Sequence, residues 1–239
     1  MHYFANRTTG IKQQTMLHYI IWNVDPEIFR IGNWPVRWYG LLFAGGFLLG
    51  VQIMTYIFKT ERKPVADTDA LLVTMAFATV LGARLGHFLF YEPSMFLHNP
   101  LPIITPPFDG LASHGGIIGI SIGLWLYSKR ASSKATGQTF LWVIDRIWII
   151  AALAGAFIRF GNLMNSEIFG KPTGVPWAFV FLRDGELSQI SRHPTQLYES
   201  LSCLILFAVL LWYWKRYRKQ SVPGTMLGIS LPTRTHRSQ

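Results

Sequence analysis

The chain has 239 residues, 50% of them hydrophobic, 15% aromatic and only 14% charged, with a formal net charge of +10. That charge content falls well short of the roughly one quarter usual in soluble domains, which argues against a soluble enzyme. The basic residues gather in short turns rather than in a groove-sized patch, which argues against a nucleic-acid-binding protein.

Residues 1–15 are polar and patternless and read as an extension ahead of the main domain, which begins near Met16. Residues 1–30 lack the pattern of a secretory signal, so the first apolar span is expected to direct insertion. Asp25-Pro26 and Gly32-Asn33 read as turns at a membrane surface. Five apolar spans follow: Trp38–Phe58, Ala70–Tyr91, Ser113–Tyr127, Phe140–Leu163 and Pro194–Trp214. A helix needs about 20 residues to cross ~30 Å of hydrocarbon, and the third span is short of that without its flanks. The expected fold class is therefore all-α, a polytopic helical membrane protein with five spans.

The links between spans differ in charge. Lys59, Arg62 and Lys63, then Lys129, Arg130 and Lys134, then Lys215, Arg216, Arg218 and Lys219 occupy alternate turns, whereas the proline-rich loop 92–112 has no Lys or Arg. Positive residues favour the cytoplasmic side, so the N-terminus, this loop and the 165–193 loop are expected to face outward. Alternation through Trp177–Leu182 predicts a small outward cap in the last of these. Cys203, the sole cysteine, lies among leucines and isoleucines and reads as an inert apolar residue.

Small residues recur every four positions at Gly46/Gly50, Gly82/Gly86 and Gly115/Gly119/Gly123, a spacing that lets helix backbones approach. Polar groups interrupt the spans at a few positions. Arg159 closes the fourth span, where a cation costs about 2.5–3.5 kcal/mol at a helix centre and less near an end. Arg159, Asn162 and Ser166 fall at i, i+3 and i+7, so a continuous helix would place them on one face. Asp145 lies 14 residues before Arg159 on the same line, with Ala152, Gly155 and Ala156 between. Either a partner helix or an acyl chain could fill that strip. Arg84 is a second intramembrane cation. Each arginine either pairs with a protein acid such as Asp145 or Glu199 or grips a lipid phosphate through its two-pronged donor edge. His114 opens the third span and has the titration range of a general base. With no His-Glu-x-x-His pattern and no cysteine pair, no metal site is expected.

These segments together resemble the bacterial prolipoprotein diacylglyceryl transferases. The likeness rests on Trp38-Tyr39-Gly40, Gly82-Ala83-Arg84-Leu85-Gly86, His114-Gly115-Gly116-Ile117-Ile118-Gly119, Arg159–Glu167 and His193-Pro194-Thr195-Gln196-Leu197-Tyr198-Glu199, in that order. It covers roughly Met16 to Gly228. The resemblance implies a seven-helix enzyme of the bacterial inner membrane with its N-terminus outward and a small outward head. It implies transfer of the diacylglyceryl group of phosphatidylglycerol to the lipobox cysteine of preprolipoproteins, with no metal or organic cofactor. His114, Arg159 and Asn162 are the expected catalytic residues. Tyr39, Arg84, Asp145, Asn165 and Glu167, with Arg159 again, are expected to line or support the substrate site.

Two positions depart from the family pattern. Ile158 stands where the family often has glycine, and after Gly228 the chain enters a polar tail (229–239) instead of two further helices. Residues 16–228 thus read as an incomplete membrane domain, and Arg234 and Arg237 are not matched to the family's later arginine. An inactive homologue and a lipid or anion transporter stay open as alternatives at this point.

Overall fold

A computed structural model describes residues 19–94, 112–183, 185 and 189–230. The expected extension at 1–15, most of the proline-rich loop and nearly all of the 229–239 tail lie outside the described residues. Three short strands come first: β1 (Ile20–Trp22), β2 (Glu27–Ile31) and β3 (Trp34–Arg37). Helices α1 (Trp38–Thr60), α2 (Ala66–Phe90), α3 (Ser113–Ser128), α4 (Ala131–Ala135) and α5 (Phe140–Met164) follow. The chain continues through β4 (Phe179–Phe181), β5 (Ser191–Arg192), α6 (Thr195–Tyr217) and α7 (Thr225–Ser230).

Among the described residues, four helices, α1, α2, α5 and α6, are long and apolar enough to cross a membrane. Helix α3 coincides with the third expected span but has 16 residues. At 1.5 Å per residue it extends about 24 Å, short of the hydrocarbon thickness. Large apolar side chains stand exposed along the long helices, among them Phe43, Leu48, Phe77, Val80, Leu201 and Trp212. A contiguous apolar exterior of this kind marks contact with lipid.

The chain divides into two compact units, one of residues 1–41 and 158–199, the other of 42–157 and 200–239. In the first, β1 pairs in parallel with β4, and β4 in antiparallel with β5. The expected cap is therefore a small sheet, and it recruits a strand from the N-terminal side of the chain. Leu163, Phe179 and Phe181 form its core, with Trp22, Phe160, Phe169 and Leu197 packed around them. A second, two-stranded sheet pairs β2 with β3 across the Gly32-Asn33 turn. Asp25 anchors that hairpin to the cap by accepting from Arg183 at 2.8 Å. The Glu27 backbone N–H and the nearby Arg183 guanidinium hold the Asp25 carboxyl below the usual carboxylate range.

In the second unit, α2 and α3 meet backbone to backbone. A Cβ added at Gly119 would stand 2.2 Å from the Ala78 carbonyl oxygen, and one at Gly82 would stand 2.5 Å from that of Gly115. Gly86 and Gly123 are equally close to their neighbours, so the glycine spacing serves packing. At one end of this unit Glu61, just past α1, accepts from Trp142 Nε1 at 2.8 Å and Trp214 Nε1 at 2.6 Å. Arg146 Nη2 donates to both its oxygens, at 2.9 and 3.0 Å. Nearby, Asp67 accepts from Ser132 at 2.8 Å and Gln138 at 2.6 Å, and Lys63 Nζ donates to the Thr136 carbonyl. The ends of α1, α5 and α6 are thereby tied with the first two basic turns at a single level.

Candidate active site

The end of α5 is set by its sequence. The Ser166 N–H reaches the Leu163 carbonyl at 3.0 Å and the Glu167 N–H reaches that of Asn162 at 3.0 Å. This paired 5→2 and 6→1 pattern needs a left-handed residue between helix and loop, and Ser166 supplies it at φ 54°. The helix therefore stops at Met164, and Ser166 leaves the face that i, i+3, i+7 spacing would assign to it. The sequence expectation fails here because it assumed an uninterrupted helix. Trp22 Nε1 also donates to the Leu163 carbonyl at 3.0 Å, so the cap sheet clasps the same turn.

The turn is held from its other side by the start of α6. Gln196 Nε2 donates to the Glu167 carbonyl at 2.7 Å and Thr195 Oγ1 to that of Ile168 at 3.1 Å. Gly170 N–H reaches the His193 carbonyl at 2.9 Å, and His193 N–H reaches that of Lys171 at 3.1 Å. Gly170 has no room for a side chain, since an added Cβ would lie 2.6 Å from Thr195 Cγ2. The two polar motifs of the sequence, far apart in the chain, thus form one ladder.

Within this frame Asn162, 4% exposed, donates to Glu167 Oε1 at 2.8 Å, and Asn165 donates to the same oxygen at 3.2 Å. Glu167 is exposed and its carboxylate is aimed by the two amides. Arg159, one turn before Asn162, pairs through Nε with Glu199 Oε2 at 2.5 Å. Their side chains are 35% and 48% exposed, so the pair is open rather than sealed in the core. Tyr39 lies flat against the same helix, for a Cβ at Gly161 would fall 2.7 Å from its Cδ2. Tyr39, Arg159, Asn162, Asn165 and Glu167 are all in the first unit.

The other three expected residues belong to the second unit. His114 is exposed in the first turn of α3, beside the point where the Ala112 N–H reaches the Ala83 carbonyl at 3.0 Å. Arg84 is 2% exposed, its guanidinium 5.0 Å from the centre of the Phe88 ring. Both lie on the same stretch of the α2–α3 seam. Asp145 is fully buried and accepts from the backbone N–H of Gly224 at 2.7 Å and of Leu227 at 3.0 Å. Its carboxylate caps α7. The small-residue strip between Asp145 and Arg159 is taken by protein: a Cβ at Gly155 would meet Cys203 Sγ at 3.2 Å, and Ser200 donates to the Ala156 carbonyl at 2.9 Å. Cys203 is packing material, as its surroundings in the sequence predict.

Three side chains at the site were not singled out as site residues from sequence. Gln196 is 1% exposed and buttresses the Glu167 turn. Tyr198 accepts from Trp177 Nε1 at 2.8 Å and lies 3.3 Å from His193 Nδ1. Glu199 figured only as a possible arginine partner. The signal was the pair of polar residues at i and i+3 opening an apolar helix, Gln196 and Glu199.

Apolar helices with exposed lipid-facing side chains, and a strapped turn presenting a guanidinium, two amides and two carboxylates, define a membrane-embedded enzyme. Residues 26–233 match the family described as prolipoprotein diacylglyceryl transferase. The chain is 43% identical over 225 residues to the phosphatidylglycerol–prolipoprotein diacylglyceryl transferase of Porphyromonas gingivalis, covering 91% of this chain and 78% of the relative. The enzyme of that name from Chloroherpeton thalassium is 46% identical over 215 residues, 89% of this chain and 77% of the relative. That of Tolumonas auensis is 43% identical over 212 residues, 89% and 79%. The chain belongs to the prolipoprotein diacylglyceryl transferase family, and it is a transferase.

Proposed function

We propose that the chain transfers the diacylglyceryl group of phosphatidylglycerol to the thiol of a lipobox cysteine in a prolipoprotein, at the outer face of a bacterial cytoplasmic membrane. The thiol sulfur attacks the glycerol carbon that bears the phosphate ester. A carbon–sulfur bond forms, the carbon–oxygen bond breaks, and glycerol phosphate departs with the bonding electrons. A free thiol titrates near 8.5, so the nucleophile needs a base, and exposed His114 takes its proton. Charge accumulates on the departing phosphate. Arg159 meets it with a rigid fork of donors. Asn162, Asn165 and Glu167 shape the turn that aims Arg159, and Tyr39 walls it. Arg84 supports His114 on the α2–α3 seam, and Asp145 contributes by fixing α7.

The observation that carries this reading is an arginine at the end of an apolar helix, in an open ion pair beside a carboxylate aligned by two amides. Membranes containing the chain, supplied with phosphatidylglycerol and a lipobox peptide, should yield peptide heavier by one diacylglyceryl group. Arg159→Ala should lower the yield at least a hundredfold with normal insertion, in line with the loss of one key charge-stabilising donor. Near-normal turnover would remove Arg159 from the mechanism.

A further inference from the structure

The two acids of the site are held in different ways. Glu167 is fixed by donors from Asn162 and Asn165. Glu199 has Arg159 as its one polar side-chain partner among the described residues. Arg159 is partly exposed and Glu199 exposed, at 35% and 48%. An exposed pair is weakly coupled and separates readily, unlike a buried one, whose breaking strands a charge. Arg159 has five donors, and the one nearest Glu199 is Nε, in contact with a single carboxylate oxygen.

We propose that Glu199 is a resident counter-anion, an internal stand-in for the phosphodiester, which must leave the Nε edge of Arg159 before a phospholipid headgroup can take it. This rests on the reading of Arg159 as the phosphate-binding residue. Glu199 then acts through Arg159 and is a positioning residue. While no lipid is bound it neutralises the guanidinium and keeps its fork turned toward α6. When an anionic headgroup arrives, carboxylate and phosphate compete for the same donors, and repulsion between them drives Glu199 aside. Zwitterionic headgroups gain less from the exchange, because their ammonium group offsets the phosphate charge.

The test uses the full chain in phosphatidylcholine nanodiscs, titrated with fluorescent phosphatidylglycerol, together with transfer kinetics on a lipobox peptide. Glu199→Gln should tighten phosphatidylglycerol binding and lower its KM about fivefold, equivalent to about 1 kcal/mol. Glu199→Asp, with a shorter and looser pair, should tighten it about twofold, which keeps the test alive if the glutamine variant does not accumulate. In an Arg159→Ala background, Glu199→Gln should change nothing. Weaker binding by either Glu199 variant would overturn the proposal and make Glu199 an orienting group. Unchanged binding with a lower thermal midpoint would reduce Glu199 to packing. Tight, Glu199-sensitive lipid binding without any thioether product would leave the exchange standing and refute the transfer reading.

Discussion

Gln196 shows how a single amide can set the geometry of a site it does not enter. It is 1% exposed and spans from α6 to the carbonyl of Glu167, between the two left-handed residues Ser166 and Ile168. Left-handed backbone at a non-glycine residue costs of order 1–3 kcal/mol and persists only where the surroundings enforce it. Replacing Gln196 with Leu removes the donor from the partly buried Glu167 carbonyl, a loss of about 0.5–1.5 kcal/mol. The expected outcome is a lower thermal midpoint together with reduced kcat, because Glu167 and its two amides drift out of register. A Leu variant with wild-type kcat and a wild-type midpoint would show that the turn stands without its buttress. Little of this was visible from sequence. The polar residues stood out one by one against an apolar background, but the left-handed Ser166 depends on packing from the cap, which no local pattern encodes.

Among the elements, the α2–α3 pair depends most on the absence of side chains. Gly82, Gly86, Gly115 and Gly119 bring the two backbones together, and Arg84 and His114 ride on that seam. Gly119→Leu would force a side chain into a space where even a Cβ overlaps the Ala78 carbonyl at 2.2 Å. Overpacking typically costs 1–3 kcal/mol or more, and no flexible side chain is available here to yield. The expected result is loss of transfer activity with early thermal aggregation, whereas Ile118→Leu, on the exposed face of α3, should be neutral in both assays. Here the sequence was legible, since four-residue glycine spacing in apolar helices has one main use. The strands were less so. Residues 27–37 contain a proline, a turn and few alternating positions, so their pairing into a hairpin emerges only once Trp38 N–H is fixed to the Pro26 carbonyl at 3.0 Å.

For the molecule as a whole, the alternation of basic and non-basic turns was the most useful sequence signal. The structure adds an independent observation: the ends of α1, α5 and α6 and the first two basic turns are joined through Glu61, Asp67 and Lys63. A common level for the basic turns is what the positive-inside rule requires. In a Cys203→Ser background, Asn33→Cys should react with a membrane-impermeant maleimide in intact spheroplasts, and Lys129→Cys only after permeabilisation. The reverse pattern would invert the proposed orientation. Span lengths were predicted to within a few residues because hydropathy reports them directly. The cap sheet was not, because its partners β1 and β4 are separated by most of the chain and pair through backbone groups that carry no side-chain signature.

Glu61 carries one more implication, for the order in which the chain can mature. Its carboxylate is made early, yet one of its donors, Trp214, is synthesised 153 residues later. Until α6 enters the bilayer, that acid and Arg146 share an unfinished junction, and quality-control proteases meet a loosely joined helix set. The junction then closes only when α6, the last long helix among the described residues, joins a knot begun by the first.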